Sequence, residues 1–178
     1  IPQIESIGVV ANGGTLLFGG TLDLAGGTLT GDGLFATMVL GSSGTISNGT
    51  IAPATGTLAG AGGLLDRVTW LGNLSLSDSG FNAVGGLTVA GPAGGTIALG
   101  DFGLLQIAGG LTLGAGGSIA MGGDLAILRF VLDQVLDGAD VSMSGANASM
   151  QADGGTLTIG TATTLHLSGD GLALQGAM

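Results

Sequence analysis

The chain contains no cysteine, no tyrosine and no lysine. Without cysteine there is no disulfide framework, no thiol nucleophile and no thiolate zinc site. The only cationic side chains are Arg67 and Arg129, against 12 acidic residues and a net charge of −10. A nucleic-acid partner is thereby excluded, because phosphate binding needs cations to displace counterions. An anionic membrane surface would repel the chain for the same reason. Aromatic residues are limited to 5 Phe and 1 Trp, too few for the aromatic girdles of a membrane barrel. No apolar run approaches the ~18 residues of a spanning helix, so no transmembrane segment is expected. No charged leader is visible, and the opening Ile1-Pro2 reads as a mature chain or a piece cut from a longer one.

What the chain does have is glycine, 40 of 178 residues, in step with aliphatic side chains. The unit is Gly, an apolar residue, a small polar residue and another apolar residue. It occurs as Gly20-Thr21-Leu22-Asp23-Leu24, Gly72-Asn73-Leu74-Ser75-Leu76, Gly95-Thr96-Ile97-Ala98-Leu99 and Gly155-Thr156-Leu157-Thr158-Ile159, among others. Each unit is a short strand with one inward face, closed by a turn residue. The hydrophobic share of 45% is far above that of a disordered chain, and there is no Gly-X-Y triplet.

The units recur at a nearly fixed distance. Gly86-Leu87-Thr88-Val89 returns as Gly110-Leu111-Thr112-Leu113. Gly95-Thr96-Ile97-Ala98-Leu99 returns as Gly117-Ser118-Ile119-Ala120-Met121. At a slightly shorter interval, Gly103-Leu104-Leu105-Gln106-Ile107 aligns with Gly123-Asp124-Leu125-Ala126-Ile127. Three strands in each interval of roughly 20–24 residues are the signature of a parallel β-helix. The expectation is therefore an all-β chain folded as one such solenoid over residues 1–178. The general chirality of parallel crossovers makes it right-handed. Stacking about eight coils at the strand spacing gives a rod of roughly 35–40 Å.

Two stretches depart from the beat. Leu64 to Leu76 carries Asp66, Arg67 and Trp70 but still alternates, so strands are expected there. Leu125 to Asp140 has apolar residues three and four apart, which leaves a short helix or one wider coil; the resumption at Val141-Ser142-Met143 favours the wider coil. A longer repeat is also present: Leu29-Thr30-Gly31-Asp32-Gly33-Leu34 matches Leu167-Ser168-Gly169-Asp170-Gly171-Leu172, which suggests membership in a longer array.

The Gly-Gly-Thr-Leu runs, the Gly-Asp-Gly-Leu corners and the segment Leu65-Asp66-Arg67-Val68-Thr69-Trp70-Leu71-Gly72-Asn73-Leu74 resemble the repeats of large bacterial surface proteins. These are the autotransporter-passenger and haemagglutinin-like β-helix adhesins. The resemblance implies a right-handed β-helix, secretion to the cell surface, and an adhesive or filament-forming role. It brings no catalytic residues with it.

Candidate sites are few. His166 lies between Leu165 and Leu167, so alternation points it outward, away from any catalytic assembly. β-Helical polysaccharide hydrolases use carboxylates clustered on adjacent coils. The candidates for that alternative are Asp101, Asp124, Asp133, Asp137 and Asp140, with Asp101 and Asp124 one strand position apart on neighbouring coils. The chain lacks the aromatic and cationic residues that normally line a sugar groove, so catalysis is not the leading reading. Asp32 and Asp170 are the calcium candidates, but an isolated Asp in a Gly-rich corner more often makes an Asx-turn, and no cofactor is expected. Thr-x-Thr pairs such as Thr28-Leu29-Thr30 are too scattered for a flat ice-binding face. Asn48, Asn73 and Asn147 head glycan-acceptor triplets. A glycan-binding adhesin tip is a further alternative, marked by an exposed aromatic or apolar patch around Trp70 and Phe81.

The leading expectation is a structural extracellular rod, part of a bacterial surface adhesin or self-assembling filament, with host or matrix glycans as candidate partners. Open solenoid ends are unpaired strand edges. Ile4 and Ile7 at one end, and Leu172 and Leu174 at the other, are expected to support end-to-end stacking of the chain on itself.

Overall fold

The computed structural model of the chain describes residues 15–30, 37–53, 57–92 and 94–176. Every regular element among them is a β-strand. The first coil is β1 (Thr15–Phe18), β2 (Thr21–Asp23) and β3 (Thr28–Thr30). The second is β4 (Thr37–Leu40) and β5 (Thr45–Ala52), and the third runs through β6 (Thr57–Leu71). The fourth is β7 (Leu74–Leu76) and β8 (Gly80–Ala90). Next come β9 (Thr96–Leu99), β10 (Leu104–Ala108) and β11 (Leu111–Leu113), then β12 (Ser118–Met121), β13 (Ile127–Val131) and β14 (Gln134–Leu136). The seventh coil is β15 (Asp140–Met143), β16 (Ser149–Asp153) and β17 (Leu157–Ile159), and β18 (Thr164–Leu167) with β19 (Ala173–Gln175) begin an eighth. All pairings are parallel, coil on coil, giving a β-solenoid of about 7 turns with ~22 residues per turn. The beat in the sequence is this turn.

Alternation builds the core. On one face Ile46, Leu65, Ala83, Ile107 and Phe130 stand in register on successive coils, all buried. On the next, Leu74, Ile97, Ile119 and Val141 form a second buried column, with Leu76, Leu99, Met121 and Met143 beside it. One continuous hydrophobic cluster results. Burying these side chains, at about 1.5–3 kcal/mol each, is what offsets the cost of ordering so glycine-rich a backbone. The indole of Trp70 is buried within this cluster, tilted against Phe81 at a centroid distance of 6.2 Å, and its Nε1–H donates to the Asn73 carbonyl at 3.1 Å.

The corners carry the local strain. Asp78, Phe102, Leu125 and Asn147 occupy one corner of successive coils, each with φ between 50° and 56°, and Gly171 continues the column at 69°. The left-handed conformation costs a residue with a side chain about 1–2 kcal/mol, so the stack must enforce it. Beside this column stand Gly100, Gly123, Gly145 and Gly169. A Cβ on Gly123 would collide with the backbone of Gly100 and Asp101, and one on Gly145 with the backbone of Gly123. Here glycine is required because adjacent coils touch backbone to backbone.

Two sequence expectations are corrected. Leu104 pairs with Ile127, not with Asp124, so the third alignment is displaced. The residues 122–126 instead make the corner, which lets Leu128 and Phe130 point inward above Leu105 and Ile107. The segment from Leu125 to Asp140 is neither a helix nor a wider coil. Ser118 pairs with Asp140, an ordinary turn of ~22 residues through β13 and β14. Its helix-like spacing arises because Leu125, Leu132 and Val135 are exposed at corners and edges while Leu128 and Leu136 are core.

Replacing Gly123 by Ala should destabilise the fold by about 1–3 kcal/mol, as overpacking does. Gly20→Ala, where a Cβ meets nothing within 4 Å, should stay within about 0.5 kcal/mol of the parent. Urea unfolding followed by circular dichroism measures both.

Candidate functional site

Aspartates are the most numerous acid–base side chains, and the structure gives four of them, Asp101, Asp124, Asp133 and Asp137, the same task. At the corner entering the face of β10, β13 and β16, the Asp124 amide donates to Asp101 Oδ1 at 2.8 Å. One coil further, the Ala146 amide donates to Asp124 Oδ1 at 3.1 Å. Backbone bonds run beside this ladder: Asp78 N–H to the Asp101 carbonyl, Phe102 N–H to that of Asp124, Leu125 N–H to that of Ala146, and Asn147 N–H to that of Asp170. Asp101 and Asp124 therefore occupy equivalent places on neighbouring coils, and their carboxylates cap the amides of the coil that follows.

The other corners repeat the device. Thr156 N–H donates to Asp133 Oδ1 at 2.8 Å, and Ala162 N–H to Asp137 Oδ1 at 3.1 Å. Asn73 Oδ1 accepts the Thr96 amide at 3.1 Å. Near the N-terminal end the chain of contacts involves side chains. Asp23 Oδ1 accepts the Ala25 amide (2.9 Å) and the Asn48 Nδ2–H (3.1 Å), and Asn48 Oδ1 accepts from Arg67 Nε (2.8 Å). Arg67 also pairs with Asp66 at 2.9 Å. The Ala25 amide holds the Asp23 carboxyl below the usual carboxylate range, helped by the Asn48 amide and the charge of Arg67 against a small opposing effect of desolvation.

Asp140 differs from the rest. It opens β15, and its Oδ1 lies 3.2 Å from His166 Nε2 with both side chains more than half exposed. His166 thus points outward, as alternation requires. Ser142 is its register partner on the same outward face, so Asp140, Ser142 and His166 stand together on the outside of a sheet.

The five catalytic candidates are thus spread over three corners and a strand start, and do not converge. Concavities occur at the C-terminal end and on the side of the solenoid. One, of about 380 Å³, lies at the C-terminal end between Met150, Ala152, Leu157, Ile159, Leu165 and Leu174. The other, of about 400 Å³, lies on the side near Gly60, Asp78, Ser79, Phe102 and Leu104. Neither is lined by Asp101, Asp124, Asp133, Asp137 or Asp140. Among the described residues no three His, Cys, Asp or Glu side chains come together to hold a metal ion. Asp170 belongs to the corner column, and Asp32 lies outside the described residues, as do Ile4 and Ile7.

The aromatic patch around Trp70 and Phe81 does not exist on the surface: both residues are buried core. Among the described residues the exposed aromatic ring is Phe102, 60% accessible at its corner. Sequence alternation could not find it, since alternation stops where the chain turns. Of the glycan-acceptor asparagines, Asn48 already donates its Nδ2–H to Asp23, so a glycan there would remove a contact that joins two coils.

Asp124→Ala should lose about 1 kcal/mol of stability and Asp140→Ala less, because only the former leaves a backbone amide without its acceptor. The Asp23 carboxyl should titrate below the ordinary carboxylate midpoint in an NMR pH series. Because its folded-state pKa is lowered, its contribution is present above the unfolded pKa and lost as the pH falls through the folded one. The Asp23→Asn variant should lack that part of the acid destabilisation. Comparisons with protein-family models, with curated proteins and with solved structures find no match to this chain, so its likeness to bacterial surface repeats rests on the sequence motifs alone.

Proposed function

We propose that this chain is a structural segment of an extracellular rod, part of a bacterial surface adhesin or filament, and performs no catalysis. The observation that carries the reading is the employment of the carboxylates. Asp101, Asp124, Asp133 and Asp137 each accept a backbone amide from the following coil, so four of the five carboxylates that could do acid–base chemistry are used to hold coils together. A catalytic carboxylate must instead be free to meet substrate and to change its protonation state. A rod requires what this chain has: a repeating turn, a continuous apolar interior and corners secured by hydrogen bonds. The Gly-Gly-Thr-Leu and Gly-Asp-Gly-Leu motifs support placement at the cell surface. The net charge of −10 suits a rod that must stay soluble and avoid nucleic acid and anionic lipid.

The location is tested by labelling intact cells of the source organism with an antibody raised against the chain, with and without prior external protease. Surface labelling that protease abolishes is the expected result. Labelling seen only after lysis would overturn the reading, as would release of sugars from a polysaccharide panel that Asp101→Asn and Asp124→Asn abolish.

A further inference from the structure

The corner column that begins at Asp78 holds a phenylalanine that packing does not explain. Left-handed φ is cheapest for Gly, Asn and Asp and is an outlier for a bulky side chain. Phe102 adopts it at 52°, and its ring gains no burial in return, being 60% exposed. Strain of this kind at an exposed position points to a use outside the core.

Beside the ring the flank of the solenoid is notched. Gly80 stands in register with Ala61 on the coil before and with Leu104 on the coil after, and carries no side chain between them. The gap has a volume of about 400 Å³, with Phe102 and Leu104 on one side and Ala61 on the other. That lies within the ~300–1,000 Å³ of small-molecule sites. Asp78 closes the corner end of the notch. It lies one coil before Phe102 in the same column, its N–H donating to the Asp101 carbonyl at 2.7 Å. Asp101 and Asp124 spend their carboxylates on amides of the next coil. The Asp78 carboxylate has neither a hydrogen-bond donor nor a cation in reach among the described residues, where the ion pairs are those of Arg67 with Asp66 and of His166 with Asp140. An uncompensated carboxylate and an open aromatic face thus line one small concavity.

We propose that this notch binds a quaternary ammonium group, its charge held between the Asp78 carboxylate and the Phe102 ring and its methyl groups against Leu104 and the Gly80 backbone. A cation is attracted both to the face of an aromatic ring and to a carboxylate. A primary ammonium carries three N–H donors that each need an acceptor, and Asp78 and Ser79 are the only polar side chains among the described residues of the lining. A quaternary one has no N–H to satisfy and suits walls of Gly, Ala, Leu and Phe. The net charge of −10 adds a general attraction for cations. The walls belong to the third, fourth and fifth coils, so the site does not depend on what the ends of the solenoid meet, nor on the rod reading above.

The probe is choline, titrated into the isotopically labelled 178-residue chain and followed by the amide NMR spectrum at low and at physiological salt. Saturable shifts confined to the surroundings of Asp78, Gly80 and Phe102 are expected, with an affinity that falls as salt rises. The uncharged analogue with carbon in place of the choline nitrogen should not saturate the site. Asp78→Asn removes the charge and keeps the shape; Phe102→Leu keeps apolar bulk and removes the ring. Each should weaken choline by about fivefold or more, and Phe102→Trp should bind at least as well as the parent. Asp140→Asn, an exposed carboxylate on another face, should bind as the parent does. All these side chains are exposed, so circular dichroism should be unchanged throughout. Co-sedimentation with phosphatidylcholine vesicles would identify a lipid headgroup as the source of the ammonium, and binding of free choline alone a small molecule; either supports the site. Absence of saturable binding overturns the proposal, as does equal binding of the uncharged analogue. So does equal loss in Asp140→Asn and Asp78→Asn, which would mark diffuse attraction to an acidic surface. None of these results bears on the antibody labelling of cells, so failure of the site and failure of the rod reading are separately visible.

Discussion

Everything in this molecule depends on one coil accepting the backbone hydrogen bonds of the next. A parallel coil has no partner within itself: its strands pair only upward and downward. Every amide and carbonyl along a face is therefore satisfied by a neighbouring coil or not at all, and an unsatisfied buried group costs about as much as a typical hydrogen bond contributes. Identical spacing of successive coils is the condition for this pairing. Glycine at Gly123 and Gly145 permits it by letting backbones meet, and the left-handed corners at Asp78, Phe102, Leu125 and Asn147 are its cost.

Four of the aspartates serve the same pattern of hydrogen bonds. At a corner the chain leaves the sheet, and amides such as those of Asp124, Ala146, Thr156 and Ala162 face the solvent edge rather than a strand. An aspartate one coil below supplies the acceptor in each case. A carboxylate is the stronger choice, because a charged acceptor makes a shorter and tighter bond than a neutral one. At the N-terminal end, Asp23, Asn48 and Arg67 perform the same joining with side chains, which is where one of the two arginines is employed.

Much of the architecture was legible because its rule is local. Alternation within Thr96–Leu99 and Ser118–Met121, and the return of the Gly-led unit once per turn, identify strands, inward faces and coil length without reference to distant contacts. Legibility failed at the corners, where alternation ends and length varies. The displaced pairing of Leu104 with Ile127 and the helix-like spacing of Leu125, Leu132 and Val135 have the same origin: apolar residues at corners look like core in the sequence and are exposed in the fold. Trp70 and Phe81 failed in the opposite sense. The adhesin-tip alternative required them to form a surface patch, yet both fill the interior. The role of the aspartates was hidden for a further reason, since a capping carboxylate and a catalytic one have the same sequence appearance and differ only in what they touch.

Hydrogen exchange of the corner amides tests this account most directly. If aspartates secure successive coils, the amides of Asp124, Ala146, Thr156 and Ala162 should exchange far more slowly than their exposed position implies. Each should lose that protection when the aspartate one coil below it is replaced by alanine, with the sheet amides unchanged. Corner amides that exchange at the rate of an unstructured chain in the parent protein would contradict it. The carboxylates would then be free of structural duty and available for chemistry.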